Sequence, residues 1–121
     1  MTRIKQISIW LIALIGLITA LGAAAQNSGN TGPLRWEYNA GTNTLSITGT
    51  GAMPNYAFTD DQPWKAFRSG IKTVIIGDNV TTIGELAFGS CHALQSIPLP
   101  ASVTTIEEYA FSFCKALQQV T

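Results

Sequence analysis

VTTIGELAFGSCHALQ, residues 80–95, returns as VTTIEEYAFSFCKALQ at residues 103–118, an offset of 23 with 11 of 16 positions identical. The shared residues are Val80/Val103, Thr81/Thr104, Thr82/Thr105, Ile83/Ile106, Glu85/Glu108, Ala87/Ala110, Phe88/Phe111, Cys91/Cys114, Ala93/Ala116, Leu94/Leu117 and Gln95/Gln118. Outward from this stretch the pattern continues, with Ile71 over Leu94, Val74 over Ile97 and Ile76 over Leu99. One structural unit is therefore built twice. Each copy keeps apolar residues on its flanks and has to bury them against a neighbour.

The spacing describes one unit. In Ile71-x-x-Val74-x-Ile76 the last two apolar residues alternate, as in a strand with one buried face. Asp78-Asn79 and Ala101-Ser102 turn the chain, and Val80 and Ile83 point it back inward. Glu85-Leu86-Ala87-Phe88 and its copy Glu108-Tyr109-Ala110-Phe111 predict one or two helical turns on the opposite wall. Cys91 and Leu94 close the circuit. A period of roughly 20–29 residues with Leu or Ile at fixed offsets is the signature of a leucine-rich-repeat solenoid. The predicted coils run from Ile71 to His92/Ala93 and from Leu94 to Ala116, with a partial third from Leu117.

Two coils are fewer than the roughly three such an array needs for stability, so a cap is expected at the N-terminal end. Leu34, Trp36 and Tyr38 alternate, as do Leu45 and Ile47, and Asn39-Ala40-Gly41-Thr42-Asn43 between them has turn composition. This pattern predicts a β-hairpin. A Gly- and Pro-punctuated loop, Gly49 to Asn55, follows. Pro63 to Arg68 then predicts a short helix, with Asp60 and Asp61 near its positive end. The fold class expected is α+β of the repeat kind, with a β-rich cap over 26–70 and repeats over 71–121.

The first quarter of the chain reads differently. Arg3 and Lys5 precede an uncharged apolar stretch, Ile7 to Leu21, and Ala23-Ala24-Ala25 offers small residues before a cut. This is the layout of a secretory signal peptide over 1–25, with Gln26 as the mature N-terminus. The competing reading is a retained anchor, since Ile7 to Ala25 carries no charge. Without the signal the chain keeps five basic residues (Arg35, Lys65, Arg68, Lys72, Lys115) against seven acidic ones, a net charge of −2. That balance argues against nucleic acid and against electrostatic attachment to anionic lipid, leaving membrane contact to the export signal.

WEYNAGTNTLSITGTGAMPNY, QPW, IKTVIIGDNVTTIGELAFGSCHAL and VTTIEEYAFSFCKAL together resemble the bacterial BspA-like leucine-rich-repeat family, over nearly all of the chain from about Gly32 to Thr121. The resemblance implies an exported surface or secreted protein of adhesion or host-interaction type, without catalytic chemistry. Glu107 departs from the family pattern, which has Gly there, as Gly84 does in the first coil.

Candidate sites follow from the stacking. Cys91 and Cys114, the only cysteines, sit at equivalent places in successive coils, within reach of a disulfide or stacked as a pair of buried thiols. With His92 they lack the number and spacing of a metal site. Glu85 and Glu108 also stack, which suits the start of a helical turn better than a paired-carboxylate active site. No nucleophile elbow, P-loop or dinucleotide fingerprint is present, so no catalytic residue, metal or cofactor is expected. Trp36, Tyr38, Trp64 and Phe67 form either an aromatic platform or the core of the cap. The outward strand positions Thr73, Ile75, Ser96, Pro98, Gln119 and Thr121 form the candidate binding face, for a protein or glycan surface outside the cell. Two functions fit: an exported non-catalytic binding module, or a structural N-terminal portion of a longer repeat protein with a downstream anchor or catalytic domain. Gln118 to Thr121 leave an open coil, through which self-association is expected.

Overall fold

The structure, a computed structural model, describes residues 27–120. The signal segment predicted over 1–25 lies outside the described residues, as do Thr121 and the side chain of Gln119. Among the described residues no helix is long and apolar enough to cross a membrane.

The hairpin forms where the alternation places it. β1 (Ser28–Thr31), β2 (Leu34–Asn39) and β3 (Thr44–Gly49) pair antiparallel, with Trp36 opposite Ile47 and Tyr38 opposite Leu45. Leu34, Trp36 and Tyr38 are buried, while Arg35, Glu37 and Asn39 face out. β1 has no apolar alternation and was not visible in the sequence. Its anchors are individual contacts: Gly29 lies under the Trp36 indole, where a Cβ would come within 3.0 Å of Nε1, and the Thr31 hydroxyl bonds the Tyr56 phenol at 2.5 Å.

Repeats then extend the same sheet. β4 (Gly51–Ala52) leads out of the hairpin, and the two repeats contribute β5 (Thr73–Ile76), β6 (Val80–Ile83), β7 (Ser96–Ile97), β8 (Thr105–Ile106) and β9 (Gln119–Val120). β3 pairs parallel with β5, setting Leu45 beside Val74 and Ile47 beside Ile76, and β7 and β9 follow in parallel. One six-stranded sheet in the order β1-β2-β3-β5-β7-β9 thus runs across the 70/71 division, and β4, β6 and β8 make a second, three-stranded parallel sheet.

The third wall corrects the sequence expectation. Neither Glu85–Phe88 nor Glu108–Phe111 is helical; both are turns. The only helical pieces among the described residues are two 3-10 segments, Thr59–Asp61 and Lys65–Gly70, so the α+β expectation overstated the helix. Leu86 and Ser90, with Tyr109 and Phe113 in the second coil, take left-handed φ values between 57° and 62°. Alternating left- and right-handed residues turns successive peptides to different uses. The amides of Ala87, Gly89 and Cys91 bond three residues back to Gly84, Leu86 and Phe88. Those of Leu86, Phe88 and Ser90 instead reach the next coil, to the carbonyls of Glu108, Ala110 and Ser112 at 3.3, 2.9 and 2.7 Å. A helix would have spent these donors within its own coil, whereas this wall uses them for stacking.

On the N-terminal side of that wall the carbonyls are met by side chains. The Gln62 amide donates to Leu86 O at 2.7 Å and Gly89 O at 3.1 Å, and the Trp64 indole donates to Ala87 O at 2.9 Å. Trp64 also heads a column of rings through the core, stacked on Phe88 and then Phe111 at centroid distances of 5.7 and 5.8 Å. Trp36 lies edge-on to Trp64, and Tyr38 stacks on Phe67 at 4.5 Å. Trp36, Tyr38 and Trp64 are buried and Phe67 packs against them, so these aromatics are core and not an exposed platform.

Candidate functional site

The pleat of the six-stranded sheet sorts its residues into two faces. Inward go Leu45, Ile47, Val74, Ile76 and Ile97, all buried. Outward, parallel register aligns Thr44, Thr73 and Ser96 in one row, with Ser96 paired in turn to Gln119 of β9. A second row places Ile75 beside Ser46, and Pro98 is exposed on the strand that follows. Of the six face positions expected from sequence, Thr73 is half-buried, Ile75, Ser96 and Pro98 are exposed, Gln119 lies in β9, and Thr121 is outside the described residues.

The face is larger than the repeats alone suggest. Because β2 and β3 belong to the same sheet, Glu37 sits opposite Ser46 and continues its row onto the hairpin, and Arg35 lies opposite Thr48 two residues further along β3. Arg35 and Glu37 bring the first charges to it. The signal for them was present in the Leu34-x-Trp36-x-Tyr38 alternation, which fixes its intervening residues as outward. What the alternation could not tell was that the hairpin joins the repeat sheet edge to edge.

Cys91 and Cys114 are both free thiols, Cys91 buried and Cys114 half-buried. They meet at one acceptor: the Cys91 amide donates to Phe88 O at 3.2 Å and the Cys114 thiol to the same oxygen at 3.1 Å. Burial, with a smaller push from the neighbouring thiol, raises Cys91 from its ordinary 9.0 to about 12. Burial raises Cys114 too, against a lowering contact from the Cys91 backbone. Both groups are thus held as neutral thiols rather than as nucleophilic thiolates. Among the described residues no three His, Cys, Asp or Glu side chains gather as metal ligands. Glu85 is half-buried, its amide bonded to the Asn55 side chain at 2.7 Å, and Glu108 is exposed on the turn wall.

Residues 63–121 match the family described as BspA type Leucine rich repeat region (6 copies). The match begins at Pro63, so it takes in Trp64 and the 3-10 segment ahead of the first regular coil. Among solved structures, the chain is similar to a leucine-rich repeat protein from Eubacterium ventriosum, with 31% identity and a TM-score of 0.70 over 79% of this chain. The aligned part is 26% of that protein, so this chain spans about a quarter of its length. No curated protein matches the chain.

Proposed function

Because the chain belongs to the BspA-like leucine-rich-repeat family, we propose that it is an exported, non-catalytic binding module that holds a protein or glycan surface outside the cell. The observation that carries this reading is the outward face of the six-stranded sheet, on which Arg35, Glu37, Ser46, Thr73, Ile75, Ser96 and Pro98 share one surface. Such a face is shallow and extended, suited to a macromolecular partner and not to engulfing a small molecule. Its residues are small and mostly neutral, so contact rests on shape and hydrogen bonding, with Arg35 and Glu37 fixing orientation at one end.

Export rests on the segment 1–25, and adhesion on what the family is known for. The test is a binding screen of the exported protein against arrays of extracellular proteins and glycans, repeated with Thr73→Arg and Ser96→Arg. A partner lost by both variants at unchanged melting temperature is expected. A partner held equally by wild type and variants would remove the sheet face from consideration.

A further inference from the structure

We propose that Cys91 and Cys114 close a reversible disulfide between the two coils when the chain meets a small-molecule disulfide oxidant, fastening the turn wall at a seam that its backbone leaves open. Through Leu86, Phe88 and Ser90 the first coil donates backbone bonds to the second, the last of them from the Ser90 amide to Ser112 O at 2.7 Å. The two coils meet again through their strands, where Ser96 pairs with Gln119. Between these points, over 91–94 and 114–117, no backbone bond among the described residues joins one coil to the other. The bond that crosses there is the Cys114 thiol on Phe88 O, at 3.1 Å. Both cysteines lie in this seam.

Stacking brings the two side chains together. Phe88 O accepts the Cys91 amide at 3.2 Å as well as the Cys114 thiol, so the Cys114 sulfur already stands beside the backbone of Cys91. Coils held one hydrogen bond apart place equivalent Cα atoms about 5 Å from each other, within the ~4.4–6.8 Å that a disulfide spans. The bond from Ser90 to Ser112 sets that spacing immediately ahead of the cysteines. Closing the bridge then calls for side-chain rotation and not for backbone movement.

Accessibility orders the steps. Cys114 is half-buried and Cys91 buried. Cys114 therefore gives up its proton first, and its thiolate attacks one sulfur of the oxidant, forming a mixed disulfide and releasing one thiol. Cys91 then loses its proton and its thiolate attacks the Cys114 sulfur, so that the bond between the coils forms and the second thiol of the oxidant leaves. The protein loses two hydrogens, and the one S–S bond of the oxidant becomes two thiols. Burial favours the neutral form of both groups, so exchange is slow at neutral pH and quickens as pH rises. Such oxidants act where disulfides persist, outside the cell, and this setting, though not the chemistry, rests on the export proposed above.

The test places the purified full chain in glutathione buffer with the oxidised form in excess and counts thiols after denaturation, so its outcome is independent of where the chain resides. The wild type is expected to lose both thiols and the mass of two hydrogens, to stay monomeric on non-reducing electrophoresis, and to recover both thiols in excess reduced glutathione. Its oxidised form should unfold at a higher urea concentration than its reduced form. Cys91→Ala should stop at the mixed disulfide of Cys114 with glutathione, whereas Cys114→Ala, left with the buried thiol, should react at least about tenfold more slowly. Two thiols that persist in the wild type, glutathione adducts in place of the loss of two hydrogens, cross-linked dimers, or an oxidised form that unfolds at lower urea would each overturn the proposal.

Discussion

Gly84 and Glu107 occupy the same place in successive coils, and the structure explains why only the first is glycine. A Cβ on Gly84 would run into the carbonyl oxygen of Pro54 and stand 2.7 Å from its carbon. Pro54 lies in the irregular segment after β4, whose backbone passes directly over the first coil, with Met53 and Tyr56 amides bonded to Thr82 O and Glu85 O. Glu107 has Gly84 above it instead, its amide bonded to Ile83 O at 2.9 Å. Gly84→Ala should therefore cost roughly 1–3 kcal/mol, the range for overpacking a closed site, and Glu107→Ala should change stability little. Thermal melts of the two variants check both. Cys91 supports a second prediction at this scale. Its pKa is raised from 9.0 to about 12 in the fold, so below pH 9 both folded and unfolded states keep the proton and stability is unaffected. Between 9 and 12 only the unfolded chain ionises, and stability falls by about 1.4 kcal/mol per pH unit. Denaturant titrations from pH 8 to 11 should show this decline, and Cys91→Ala should make it shallower, leaving the part contributed by Cys114 and Tyr56, which burial also raises.

At the scale of elements, strands were legible and the turn wall was not. Leu34-Trp36-Tyr38 and Val74-Ile76 give their strands away by alternation, because one face of each is packed and the other is not. Glu85 to Phe88 and Glu108 to Phe111 contain good helix formers, and nothing local in them announces another structure. The conformation of the first wall is decided by acceptors that arrive 22 residues later in the chain, which no window of that length contains. The same non-local logic hides the role of Gln62, which looks like an ordinary loop residue in sequence and is buried against two carbonyls of the turn wall. Gln62→Met keeps the side chain's volume and removes both donors, leaving Leu86 O and Gly89 O without them. A loss of about 1–3 kcal/mol is expected, the range for stranding buried polar groups. Trp64→Phe, which keeps a ring over Phe88 but loses the bond to Ala87 O, should also destabilise. Chemical denaturation of the two single variants and the double variant measures whether the donors act together, as neighbours on one carbonyl row should.

Across the whole molecule, the division between an N-terminal module and a repeat segment is a division of sequence pattern more than of packing. The repeat made residues 71–121 readable because the same residue types recur at the same offsets, and the family match from Pro63 already reaches back past that boundary. The outward face was only half legible for the same reason: its repeat rows could be extrapolated, while Arg35 and Glu37 join it through the β3–β5 pairing that no periodicity encodes. That pairing and the Trp64–Phe88–Phe111 column bind the two parts through backbone and side chains alike. Neither part buries its own flank: Leu45 and Ile47 depend on Val74 and Ile76, and the first coil's carbonyls depend on Gln62 and Trp64. Local unfolding of one part would therefore expose a contiguous apolar surface on the other, and the two should unfold as one cooperative unit. Probes for this lie on opposite sides of the boundary, since Trp36 and Trp64 report on the N-terminal part and buried Cys91 on the repeats. Tryptophan fluorescence and thiol labelling followed across one urea titration should give coincident midpoints. A thiol that becomes reactive while the tryptophan signal is still native would mean that the coils open first and that the sheet is not a single cooperative unit.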